Sequence, residues 1–112
     1  MHPRDELSAQ RAGLLAQAAQ LRADLAGIMA ASEGANADDE HDPEGATIAF
    51  ERAQTAALLD RTEHRIADLD RALDRVAAGT YGTCARCGRP IGADRLAARP
   101  DATSCIACAV SR

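Results

Sequence analysis

The chain has 112 residues, of which 46% are hydrophobic but only 2% aromatic, and it carries a formal net charge of −4 with no lysine. Large side chains are too scarce to fill a sandwich or barrel, so the composition favours long helices with a narrow apolar seam. No run of roughly 18 apolar residues is present, which excludes a membrane-spanning helix. Excess acid is also a poor basis for duplex DNA binding, which draws its affinity from neutralised phosphates.

The first helical stretch covers residues 4 to 31. Leu7, Leu14, Leu21 and Ile28 recur every seventh position, with Ala18 and Leu25 four places after two of them. This is a heptad seam, leucine in one position and smaller residues in the other. Gly13 and Gly27 weaken it, each by about 1 kcal/mol relative to alanine. Arg11 falls on the seam, where its stem packs while the guanidinium reaches water. Residues 32 to 45, SEGANADDEHDPEG, break the pattern with Gly34, Pro43 and Gly45 and hold six acids without an arginine. Asp42-Pro43-Glu44 reads as a helix start: a capping carboxylate, a proline in the first helical position, and an acid at the positive end of the dipole.

The second helix runs from 46 to about 77. Its seam is Ile48, Arg52, Thr55, Leu59, Thr62, Ile66, Leu69, Leu73 and Val76, spaced alternately by four and three. Arg65, Asp68, Arg71 and Asp74 follow at i,i+3 on the outer side, and Gly79 ends the helix. Two such helices joined by a turn predict a mainly α protein. Residues 1–78 form an antiparallel coiled-coil hairpin with an acidic tip at about 32–46, and a small module occupies 79–112.

That module holds Cys84, Cys87, Cys105 and Cys108, as two C-x2-C pairs separated by seventeen residues. Each pair sits on a tight turn and offers two thiolates to one tetrahedral Zn²⁺. Gly88 supplies the positive-φ residue of the first turn, whereas the second pair lacks a glycine and is expected to open a helical turn. Met1-His2-Pro3-Arg4-Asp5-Glu6 has no apolar core to direct secretion, which favours the cytoplasm and disfavours disulfides. A redox pair is the remaining competitor. Four thiolates close the coordination sphere, so the zinc is structural. The metal is needed because Tyr81, Ile91, Leu96, Ile106 and Val110 are too few for a self-sufficient core. Charge divides along the chain. Residues 1–78 carry eight arginines against fifteen acids, and 79–112 carry five against two.

The string GTYGTCARCGRPIGADRLAARPDATSCIAC resembles the zinc finger of the DksA/TraR family, with pattern GxYGxCxxCGxxIxxxRLxAxPxxxxCxxC. Matches fall at Gly79, Tyr81, Gly82, Cys84, Cys87, Gly88, Ile91, Arg95, Leu96, Ala98, Pro100, Cys105 and Cys108. The Arg-Leu-x-Ala-x-Pro stretch makes the match specific, and the hairpin before it is similar to the family's coiled coil. The resemblance implies a transcription regulator that binds bacterial RNA polymerase. Such a factor passes its coiled-coil tip through the secondary channel to modulate initiation, often together with guanosine tetraphosphate, without reading a promoter sequence. The family's tip, D-P-x-D-x-A, is approximated by Asp42-Pro43-Glu44-Gly45-Ala46, one residue shorter. Counting back from Cys84 instead keeps Glu44 and Ala46 in register, and either Asp42 or Asp39 serves as the other carboxylate. Of the basic residues the family turns to the alarmone, Arg99 remains, while Asp68 and Ala109 stand at the other places.

The residues also allow plainer roles. Asp42 and Glu44 suit helix capping, Asp38, Asp39 and Glu40 a solvated turn, and Arg95 and Arg99 either surface charges or a partner interface. No nucleophile with a base and an orienting third group is visible, so no catalytic residue is assigned. A monomeric, non-enzymatic polymerase-binding factor is the leading expectation. The alternative is a coiled-coil adaptor or zinc/redox sensor without polymerase binding.

Overall fold

Pro3 opens the first helix, where its missing N–H is no loss. His2 precedes it, accepting the Arg4 N–H on its imidazole Nδ1 at 3.1 Å and those of Asp5 and Glu6 on its carbonyl. The computed structural model describes residues 2–34 and 43–111. Helix α1 spans Pro3–Gly34 and helix α2 spans Pro43–Ala78, together the expected helical hairpin. Both reach three residues further into the turn than spacing predicted, and Pro43 takes the first helical position of α2. Two short helices follow, α3 (Ala93–Ala98) and α4 (Ile106–Val110). The described residues contain one isolated antiparallel bridge, Thr83 with Pro90.

The chain clusters into two compact units, residues 13–65 and residues 1–12 with 66–112. In the first, Ala18 and Thr62 are buried, and Leu14, Leu21, Leu25, Ile28, Ile48, Thr55, Leu58 and Leu59 are half-buried. Thr62 satisfies its hydroxyl by donating to the Leu58 carbonyl at 2.8 Å, which makes a polar residue tolerable on the seam. Arg52, placed on the seam by its spacing, is exposed instead. A guanidinium is expensive to desolvate, and the neighbouring turns already supply apolar contact.

In the second unit Leu7, Leu69 and Ala72 are buried. Arg11 lies half-buried as its position predicts and donates from Nε to Asp70 Oδ1 at 2.5 Å. Ala72 lies off the predicted seam yet is fully buried. The end of α2 is closed by a 6→1 and 5→2 pair of bonds: Thr80 N–H to the Arg75 carbonyl (2.9 Å) and Gly79 N–H to that of Val76 (3.1 Å). Gly79, at φ 77°, makes that reversal and delivers the chain into the cysteine module. Two side chains fasten the module further. Tyr81 donates its hydroxyl to the Pro100 carbonyl at 2.8 Å, and Arg75 Nη2 donates to the Asp101 carbonyl at 3.1 Å. Burial, with Glu6 nearby, raises the Tyr81 pKa, so the phenol stays protonated and a donor.

Candidate functional site

Around the first cysteine pair the backbone doubles back within ten residues. Cys84 N–H bonds the Arg89 carbonyl at 2.8 Å, Ile91 N–H that of Gly82 at 2.8 Å, and Gly88 N–H that of Cys84 at 3.0 Å. Gly88 sits at φ 75°, a conformation open to it because it has no Cβ. The second pair takes the helical route. Cys105, with extended backbone, is the N-cap of α4, and Cys108 rides its first turn. An Ala85 N–H to Thr103 carbonyl bond of 2.8 Å ties the two halves together. The four sulfurs converge within 4.8 Å of one another.

Their geometry fits one zinc ion. Tetrahedral Zn–S bonds of about 2.3 Å require sulfurs roughly 3.8 Å apart, and Cys87 Sγ stands 3.8 Å from Cys105 Sγ. Protonation points the same way. Backbone N–H groups, Cys105 and then Cys87 foremost, hold the Cys84 thiol down at about 6. Backbone bonding from Cys108 likewise lowers Cys105. Cys108 is pushed up to about 12, chiefly by hydrogen bonding with the Cys105 and Cys84 side chains. The pocket therefore favours thiolate at Cys84 and Cys105 and disfavours it at Cys108, a penalty that a cation among the sulfurs would relieve. The cluster holds one structural Zn²⁺. Cys84 is buried beside Ile91 and Ala102, with Leu96, Cys105 and Cys108 packed against them, so the metal site and the module's core are one object. Cys87 is exposed.

Beside the metal centre a polar cavity of about 450 Å³ is lined by Arg71, Arg75, Arg95, Arg99, Asp68 and Asp101 among others. Arg95 belongs to α3 and donates from Nε to the Ser104 carbonyl at 2.8 Å. Arg99 caps the end of α3, its N–H on the Arg95 carbonyl at 2.7 Å. Sequence reasoning singled out Arg95 and Arg99 but missed Arg71 and Arg75. Their four-residue spacing on one helix face was the signal that they act together. Arg71 is ion-paired with Asp68, which neutralises one of the four cations. The six-residue α3 was also missed, being too short for periodicity to reveal.

Of the tip residues, Asp39 and Asp42 lie outside the described residues, and so does the side chain of Glu44. Ala46 is exposed in the first turns of α2. His64, read as an outer-face residue, is exposed with Nδ1 2.8 Å from the Asp60 carbonyl. Among the described residues no helix is long and apolar enough to cross a membrane.

Residues 79–112 match the family model described as "Prokaryotic dksA/traR C4-type zinc finger". Over 56 residues the chain is 45% identical to the RNA polymerase-binding transcription factor DksA of Caulobacter vibrioides, a match covering 50% of this chain and 39% of that protein. Over 70 residues it is 39% identical to the uncharacterized protein YteA of Bacillus subtilis, covering 62% of this chain and 29% of that one. These alignments span well under half of each relative's length. Among solved structures the chain is similar to transcription factor DksA2 from Pseudomonas aeruginosa. That likeness has a TM-score of 0.59 and 32% identity, over 96% of this chain and 80% of the other.

Proposed function

We propose, from the premise that this chain belongs to the DksA/TraR zinc-finger family, that it is a transcription regulator acting by binding bacterial RNA polymerase. The observation that carries the reading is the likeness to a transcription factor over nearly the whole chain, hairpin and metal module together. In this reading the hairpin enters the secondary channel and brings the carboxylates of Glu44 and of Asp42 or Asp39 close to the catalytic centre. There a narrow, low-dielectric cleft amplifies their charge. The zinc module is the docking base, with Arg95 and Arg99 at the partner interface. The protein works in the cytoplasm as a monomer, with no catalysis of its own and no sequence-specific DNA contact.

In this reading guanosine tetraphosphate is at most a weak partner. Asp68 already neutralises Arg71, and Arg75 and Arg95 each commit a guanidinium nitrogen to a backbone carbonyl. Of the cavity's four arginines, Arg71 is therefore ion-paired, and Arg75 and Arg95 keep their charge but have fewer donors free for a phosphate. The test is a pull-down against core RNA polymerase followed by in vitro initiation assays without the alarmone. The Asp42→Ala, Glu44→Ala double variant is expected to bind polymerase as the unsubstituted chain does while losing its effect on initiation. Unchanged transcription with that variant would remove the tip from the mechanism, and failure of the unsubstituted chain to bind polymerase would remove the partner.

A further inference from the structure

We infer that α4 is a hinged leaf beside the metal site, that it withdraws Cys105 and Cys108 together when zinc is exchanged, and that Arg86 is the positioning residue that bolts it shut. The two cysteine pairs are held in different ways. Around the first, the N–H groups of Cys84, Gly88 and Ile91 close the turn through backbone bonds that involve no sulfur. Cys84 is also buried against Ile91 and Ala102. The second pair depends on a helix of five residues, none of them buried. Its Ile106 is 67% exposed and its Val110 78%, and its contact with the core runs through Cys105 and Cys108. So short a helix does not hold itself, because fixing its first turn costs more than its few bonds return. Little apolar burial offsets that cost, so opening here takes less free energy than opening the first turn.

The chain is fastened just ahead of the leaf. Ala85 N–H bonds the Thr103 carbonyl at 2.8 Å, and Arg95 Nε bonds that of Ser104 at 2.8 Å. Cys105, with extended backbone, follows at once and is the joint. At the other end of α4 stands the bolt. Arg86 lies between Cys84 and Cys87 in the chain, yet its guanidinium crosses to the second pair. It donates from Nη1 to the Cys108 carbonyl at 3.0 Å and to the Ser111 carbonyl at 2.9 Å. Carbonyls at the end of a helix lack partners within it, so one cation caps two of them with charge-assisted bonds. Four thiolates around a divalent ion also leave net negative charge, which the same guanidinium offsets. Arg86 therefore ties the firm half of the site to the loose half. When those two bonds part, α4 swings on Cys105, the first pair stays in place, and a competing chelator takes the positions of Cys105 and Cys108.

The test uses the full zinc-loaded chain and an excess of the chromogenic chelator 4-(2-pyridylazo)resorcinol. Zinc transfer from the Arg86→Ala variant is expected to run about 10-fold faster than from the unsubstituted chain, the effect of losing charge-assisted bonds. Arg89→Ala removes an equal charge from the same exposed turn and should leave the rate within about 2-fold. Amide hydrogen exchange with zinc bound separates a bolt from a general brace. The Ala109 N–H, bonded to the Cys105 carbonyl at 2.9 Å, should exchange faster in Arg86→Ala by the same factor as the transfer rate. The Cys84 and Ile91 N–H groups should exchange as in the unsubstituted chain. Equal acceleration at all three amides would show the whole module loosening and would overturn the inference. Equal transfer rates from the Arg86→Ala and Arg89→Ala chains would overturn it too. Should Arg86→Ala not fold, the unsubstituted chain decides by itself. Its Ala109 amide is expected to exchange well before those of Cys84 and Ile91, and exchange of the three together would leave no hinged leaf.

Discussion

Removing the metal is the perturbation whose outcome the structure specifies most sharply. In the module the side chains reaching full or near-full burial are Cys84, Ile91 and Ala102. Burying Ile91 contributes on the order of 2 kcal/mol, whereas a structural zinc in a small finger supplies about 10–16 kcal/mol. The metal term dominates, so chelation or Cys84→Ser is expected to unfold residues 82–111 and not merely loosen them. The hairpin should survive, because its buried positions Ala18 and Thr62 lie within α1 and α2. Helices α3 and α4 hold 6 and 5 residues against 32 and 36 in α1 and α2, so far-UV ellipticity should fall by only about one seventh. Backbone amide spectra would separate the two regions, and a colorimetric chelator would count the metal released. A metal-stripped protein that kept the Ile91 and Ala102 resonances dispersed, with no ellipticity lost, would refute the reasoning. Affinity for the metal should also fall on acidification, since each thiolate must give up its metal bond to regain a proton.

Two further pairs of substitutions are checked by urea or thermal melts. Gly13→Ala should stabilise the hairpin by about 0.5–1 kcal/mol, because its added methyl meets nothing within 4 Å on a helical backbone. Gly79→Ala should destabilise by about 1–2 kcal/mol, since φ +77° is strained for any residue with a Cβ although the space is equally open. Leu69→Ala, at 2% exposure, should cost about 2–5 kcal/mol, while Phe50→Ala, at 68% exposure, should stay within about 0.5 kcal/mol of the unsubstituted chain.

Much of this protein was written in local pattern. The recurrence of Leu7, Leu14, Leu21 and Ile28 specified α1, and the four-three alternation through Leu59, Thr62, Ile66 and Leu69 specified α2, because helical periodicity is a property of neighbouring residues. Two C-x2-C pairs, Gly79 and Gly88 likewise name the metal and the turns, since each encodes a backbone requirement that few other residues meet. What needed the tertiary structure was everything arising between distant segments. Arg71 and Arg75 share a cavity with Arg95 and Arg99, and Arg75 is tied to the Asp101 carbonyl twenty-six residues away. Ile106 and Val110, counted from sequence as core candidates, turned out to face solvent. A residue's type and spacing settle which way its own helix turns. Which side chains meet, and which are left uncovered, depends on how loops between the cysteines fold about a metal, and no local periodicity encodes that.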